Sequence, residues 1–125
     1  MSIIDAWKTC VLTKYADFSG RARRAEFWGF VVVNAAIYVM LLVLLLILDP
    51  GPELVLALPG AFALAMLVPS LAAAVRRLHD TNKSGWLLLI ALVPIVGSLV
   101  LLFSYLSDSD EKTNDYGPSP KYGRA

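Results

Sequence analysis

FWGFVVVNAAIYVMLLVLLLIL, residues 27–48, runs for 22 positions without a charged side chain, and Asn34 is its one strongly polar group. A bilayer core about 30 Å thick takes roughly 20 helical residues, so this stretch is long enough to cross once. A helix buried in a soluble core seldom runs so far without a polar face. Two further stretches repeat the pattern: LVLALPGAFALAMLVPSLAAAV (54–75) and WLLLIALVPIVGSLVLLFSYL (86–106), uncharged over 22 and 21 positions. The expected fold is an all-α integral membrane protein with three transmembrane helices at 27–48, 54–75 and 86–106.

Composition agrees. Of 125 residues, 58% are hydrophobic and 17% charged, and mean hydropathy is +0.65; soluble domains carry roughly 25% charged residues. A soluble chain of this size keeps much of its surface in water, and with so few charges it would expose a large apolar patch. A soluble monomer and a disordered chain are both disfavoured. The length, residues 1–125, is that of a single membrane domain. The net charge of +1 gives no sign of a nucleic-acid partner. Cys10 is the only cysteine, which excludes an intrachain disulfide and a cysteine zinc site. No cleavable leader or lipidation motif precedes the first span, which is expected to remain as an anchor.

The connectors are short. Residues 49–53, DPGPE, are too proline-rich to continue a helix, so the first two spans should form a tight antiparallel hairpin. Residues 76–85 form a polar loop in which Ser84 can cap the third span. Residues 107–125 are a polar tail with Gly117, Pro118, Pro120 and Gly123, and little regular structure is expected there. Pro94 and Gly97 interrupt the third span. A membrane helix tolerates proline when neighbours satisfy the freed carbonyl. A re-entrant hairpin is the alternative, and it would return the tail to the side it came from.

Upstream of the first span, Ile4, Trp7, Val11, Tyr15 and Phe18 recur at three- and four-residue spacing. They predict an amphipathic interfacial helix over about 3–18, opened by a capping box of Ser2 and Asp5 and closed near Gly20. Asp5, Lys8, Lys14 and Asp17 would each cost roughly 2.5–3.5 kcal/mol at the bilayer centre, so this is not a further crossing. Its apolar face lies in the headgroup plane or packs on the membrane helices.

Eight basic residues lie before the first span and in the second loop, against three in the tail and none in the first loop. With three crossings, the positive-inside rule puts the N-terminus in the cytoplasm and the C-terminus outside. Two polar stretches then share the cytoplasmic face: FSGRARRAEFW (18–28) and RRLHDTNKSGW (76–86). They bring together Arg21, Arg24, Glu26, Arg76, Arg77, His79 and Asp80, with Trp28 and Trp86 as headgroup-level anchors. Together with NDYGPSP (114–120), these stretches resemble the bacterial inner-membrane family of YhaH- and YhaI-like proteins called domain of unknown function 805. The resemblance implies a small multi-pass protein of the bacterial plasma membrane, and it supplies no catalytic residues to transfer.

The residues themselves support three functions. In the first, the chain is a binding or adaptor protein whose arginine forks contact anionic lipid headgroups or an acidic partner. The plainer alternative for the same residues is structural: Glu26 and Asp80 neutralise arginines, with Glu26 facing Arg76 or Arg77 across the first hairpin, or Arg23 on its own helix. The second function is an oligomeric pore or holin-like permeabiliser. A small-residue ridge of Ala57, Ala61 and Ala65 with Gly60 permits close helix approach, with intrachain packing preferred to a homo-oligomer. The third is an enzyme acting on lipid headgroups through His79 and Asp80. It is disfavoured because adjacent residues do not face one another on a helix, and Asp80 is better read as organising the 81–83 turn. One histidine without a second ligand at helical spacing gives no metal site, and no cofactor motif is present. The spans hold no ionisable group, which argues against an ion-coupled pump. Asn34 is read as interhelical glue and Cys10 as an apolar interfacial residue.

Overall fold

The computed structural model describes residues 2–109, 114–118 and 120. In order, the elements are α1 (Ile3–Lys8), a π-helical turn (Thr9–Thr13), α2 (Arg24–Leu48), α3 (Pro52–Asp80), a 3-10 segment (Gly85–Leu92) and α4 (Val96–Leu106). α2 and α3 have 25 and 29 residues, about 37 and 43 Å at 1.5 Å per residue. Only 6% of the most apolar window of each is buried within the chain. Leu46, Leu56 and Leu64 are among the exposed side chains, so these helices need an apolar surrounding that the protein does not supply.

The turn between them follows from its sequence. Asp49 closes α2 in the left-handed region at φ 45°, and its N–H donates to the Leu45 carbonyl at 3.0 Å. Gly51 follows at φ 116°, which L side chains rarely adopt. Pro52 then starts α3, where its missing N–H and fixed φ suit a first turn. Inside α3, Pro69 cannot donate to the carbonyl four residues earlier. That carbonyl, Ala65 O, accepts instead from the Tyr15 hydroxyl at 2.6 Å.

The third apolar stretch does not form the single continuous helix that was expected, so three transmembrane helices are not confirmed. It folds as two shorter arms. The 3-10 arm has eight residues, about 16 Å at 2.0 Å per residue. α4 has eleven, again about 16 Å. Pro94 and Ile95 form the tip: Ile95 sits at φ 68°, and Val96 N–H donates to Pro94 O at 2.8 Å, a γ-turn. A Cβ at Gly97 would fall inside the Ile90 carbonyl, so only glycine lets the arms close. Both ends of this hairpin lie at the level of Arg24 and Asp80. Ser84, four residues past Asp80, caps the first arm through Trp86 N–H at 3.2 Å. The last carbonyls of α4 accept from Arg24 and Arg77. The described part of the tail returns to the same level, where Arg21 donates to Gly117 O at 3.0 Å.

Two smaller expectations change as well. The N-terminal helix stops at Thr13 instead of 18, because a π-turn widens it and Lys14 N–H bonds back to Thr9 O at 2.7 Å. Its Ser2 cap forms as expected, accepting from Asp5 N–H at 3.1 Å. This segment packs on α2: a Cβ at Gly29 would come within 2.7 Å of Ala6 Cβ, and Trp7 Nε1 donates to Asn34 Oδ1 at 3.3 Å. The alanine ridge at 57, 61 and 65 is exposed. The close-packed alanines of α3 are Ala72, Ala73 and Ala74.

Gly97 tests the hairpin. Gly97→Ala should lower stability by about 1–3 kcal/mol, the usual cost of overpacking, or prevent folding. Gly60→Ala, which meets nothing within 4 Å, should be neutral or gain up to about 1 kcal/mol in helix propensity. Thermal unfolding of the two variants in detergent makes the comparison; equal Tm values would contradict the close approach.

Candidate functional site

The ends of α2, α3 and the hairpin, with the 18–23 linker and the tail turn, enclose a polar layer. Asp80 lies at its centre, fully buried on the last turn of α3. Its Oδ1 accepts from Arg21 Nε at 3.0 Å and its Oδ2 from Arg77 Nη1 at 2.8 Å. The Ser109 hydroxyl donates to Oδ2 as well. Arg21 also reaches the Asp80 carbonyl at 3.1 Å. The expectation that Asp80 orders the 81–83 turn is corrected, since its carboxylate is taken up elsewhere. That turn rests on the Leu78 and His79 carbonyls, with Asn82 at φ 59°.

Arg77 uses the rest of its fork to cap α4. Nε donates to Tyr105 O at 3.1 Å and Nη2 to Ser107 O. Arg24 Nη1 donates to Leu106 O at 3.2 Å, and Trp28 Nε1 to Tyr105 O at 3.0 Å. A helix C-terminus leaves carbonyls without partners and carries partial negative charge. Two guanidiniums answer both needs at once. Arg24 stays half-exposed and pairs with Asp108 at 3.3 Å.

A second buried pair lies beside the first. Arg76 Nη1 meets Glu26 Oε2 at 2.8 Å, and Lys14 Nζ approaches Glu26 Oε1 at 4.0 Å. Glu26 therefore takes its partner across the hairpin, from Arg76. Arg76 Nη2 donates to Cys10 Sγ at 3.7 Å. Burial, and next the Glu26 carboxylate, push the Cys10 thiol above its usual range, so it remains protonated and poorly nucleophilic.

His79 and Asp80 do not form a dyad. His79 Nδ1 contacts Gly20 O at 2.9 Å, and its ring stacks on Tyr116 with centroids 3.8 Å apart. Tyr116 is held there by Asn114, which accepts from Tyr116 N–H at 2.8 Å and donates to the His79 carbonyl at 2.9 Å. Trp86 is exposed at the mouth of a cleft of about 630 Å³. The layer thus unites Arg21, Arg24, Glu26, Arg76, Arg77 and Asp80 with Trp28, while His79 and Trp86 turn toward the cleft. Sequence reasoning missed the α4 carbonyls, at the end of the 86–106 span, and Ser109 and Tyr116 beyond it. No cluster of metal-ligating side chains occurs among the described residues.

Charge exchange tests the Glu26 pair. Glu26→Arg should cost roughly 3–5 kcal/mol, as for other broken buried pairs, and sharply reduce folded protein. Adding Arg76→Glu should restore part of it, whereas Arg77→Glu should not, because Arg77 serves Asp80. Fluorescence-detected size exclusion reads the yield; equal rescue by both would contradict the assignment.

Residues 15–118 match the family described as Protein of unknown function (DUF805). Inner membrane protein YhaI of Escherichia coli (strain K12) is 44% identical over 117 residues, covering 94% of this chain and 97% of the relative. Inner membrane protein YhaH of the same organism is 35% identical over 118 residues, covering 92% and 96%. No solved structure matches significantly. The match takes in both long apolar helices, the hairpin and the tail turn, and this helical membrane protein belongs to the DUF805 family.

Proposed function

We propose that the protein is a two-crossing inner-membrane binding or adaptor protein whose cationic cytoplasmic rim contacts anionic phospholipid headgroups. In this reading α2 and α3 cross, the hairpin of 85–106 enters and leaves by the cytoplasmic face, and N-terminus and tail are both cytoplasmic. Charge supports it. With two crossings, all eleven Lys and Arg fall on one side and the 49–53 loop carries none, a stronger positive-inside asymmetry than three crossings give.

The observation that carries the lipid reading is the buried Arg23 Nε, which, like the buried Arg76 Nε, has no acceptor among the described residues. It lies in a cationic layer where Lys14, Arg21, Arg24, Arg76 and Arg77 pair with Glu26, Asp80 and Asp108. Headgroup phosphates supply both charge and acceptor oxygens at this depth. Arg21, Arg76 and Arg77 are buried and paired with the chain's own carboxylates, so the lipid contact falls to Arg23 and the outer cations. We propose no catalytic role: Asp80 is saturated and His79 is directed to Gly20 O.

Two measurements decide this. A fluorescent protein fused after Ala125 should light up in cells, and alkaline phosphatase there should be inactive; the reverse result overturns the topology. In detergent, the purified chain should bind phosphatidylglycerol more tightly than phosphatidylcholine, with a preference that salt weakens. Equal affinities overturn the lipid reading and favour an acidic protein partner for the rim.

A further inference from the structure

A second hollow, of about 480 Å³, lies between α2 and α3. It is distinct from the cleft at His79. Its α3 wall carries Phe62, Met66 and Ser70, spaced four residues apart along one face. Asn34 and Tyr38, also four apart, line the α2 side. Asn34 lies about 15 Å along α2 from Arg24, and Ser70 about 15 Å along α3 from Asp80. Both are well inside the apolar segments, where no water reaches a polar group. Trp7 Nε1 donates to Asn34 Oδ1 at 3.3 Å. An indole N–H only donates, so the Asn34 oxygen faces Trp7 and the amide NH2 is left over. Neither that NH2 nor the hydroxyls of Ser70 and Tyr38 have a hydrogen-bond partner among the described residues. The rest of the lining is apolar and rich in rings. Tyr38 and Phe62 pack with centroids 6.1 Å apart at one end, and Phe30 lies toward the other.

We propose that this hollow binds the head ring of an isoprenoid quinone. Polar groups without partners inside the slab are costly, and whatever satisfies them must bring acceptors to that depth. The Asn34 amide nitrogen can only donate, and the two hydroxyls donate as readily as they accept. A quinone presents two carbonyl acceptors on a flat apolar ring, with no N–H or O–H of its own, and aromatic walls suit such a ring. Other occupants of the bilayer match less well. Phospholipid ester oxygens stay outside the hydrocarbon core, and an acyl chain has no acceptor. A helix from another protein keeps its carbonyls bonded internally. A two-fold contact between copies sets the same patch against itself, so two hollows face each other and neither is filled. None of the lining residues is charged, so quinone binding here and headgroup binding at the rim stand or fall separately.

The test titrates the full-length protein in detergent with decylubiquinone or with decylbenzene, which has the same chain and no carbonyl. Native mass spectrometry reads the bound stoichiometry and the relative affinities. The wild type should take up one decylubiquinone in a saturable step and bind decylbenzene at least about fivefold more weakly, the worth of a hydrogen bond or two. Ser70→Ala combined with Tyr38→Phe, which keeps the packing, should weaken decylubiquinone about fivefold and leave decylbenzene unchanged. Met66→Trp, which fills the hollow, should weaken both about tenfold. Met40→Trp, exposed and outside the hollow, should bind as wild type. If Met66→Trp does not fold, the Ser70 and Tyr38 pair carries the comparison alone. Equal wild-type affinity for the two compounds, or wild-type quinone affinity in the Ser70 and Tyr38 pair, overturns the proposal. In native membranes, Ser70→Cys in a Cys10→Ser background should stay monomeric on oxidation. A disulfide-linked dimer in high yield overturns the quinone and assigns the hollow to a second copy of the chain.

Discussion

Asp80 ends a helix of 29 residues with no water around it, and a lone carboxylate in that position would be expensive. Its partners come from three separate stretches: Arg21 from the linker before α2, Arg77 from its own helix and Ser109 from the tail. Neutralising one charge therefore fixes where three pieces of chain must lie. Arg77 extends the constraint, since the guanidinium that balances Asp80 also caps the C-terminal carbonyls of α4. The return of the hairpin to this layer is the geometric consequence of one arginine serving both groups.

The backbone meets the same demand as the side chains. Away from water every peptide group needs an internal partner, and the prolines of the membrane segments free some of them. Tyr15 satisfies the carbonyl released by Pro69, which draws the N-terminal segment onto α3. Trp7 does the equivalent on α2 by donating to Asn34. The N-terminal segment thus works as a wedge whose aromatic donors answer polar groups inside the spans. Its Lys14 stays at the layer with Glu26.

Much of this could be read from sequence. The lengths of 27–48 and 54–75, the DPGPE turn, the Ser2 and Ser84 caps and the facing of Glu26 by the second-loop arginines follow from periodicity, capping and antiparallel geometry. The third segment could not be settled that way. Hydropathy counts apolar residues, and 86–106 is as apolar as a crossing helix; only Pro94 and Gly97 mark the break. The closing of the arms depends on a contact between Gly97 and Ile90 that no local pattern specifies. Nor does any local pattern bring Ser109, Asn114 and Tyr116 to the polar layer. Local sequence likewise gives no sign that Arg24 and Arg77 serve the C-terminal carbonyls of α4. Helix ends in an apolar medium are themselves anions in need of donors.

The shortness of the hairpin also explains the asymmetry along the molecule. Its arms of about 16 Å reach only part of the way along α2 and α3, so the far halves of those helices have no third element against them among the described residues, as the exposure of Leu46, Ile47 and Leu56 reflects. Irregular backbone at that depth persists only if it is satisfied locally. Here Val93 N–H bonds to Ile90 O at 2.9 Å, Gly97 N–H to Val93 O at 3.0 Å and Leu99 N–H to Ile95 O at 2.9 Å. Pro94 brings no N–H to the tip at all. A turn that needs so little from its neighbours can stand without a packed core around it. The tertiary contacts can then concentrate at the charged end, where Asp80 has already fixed the positions of the chain.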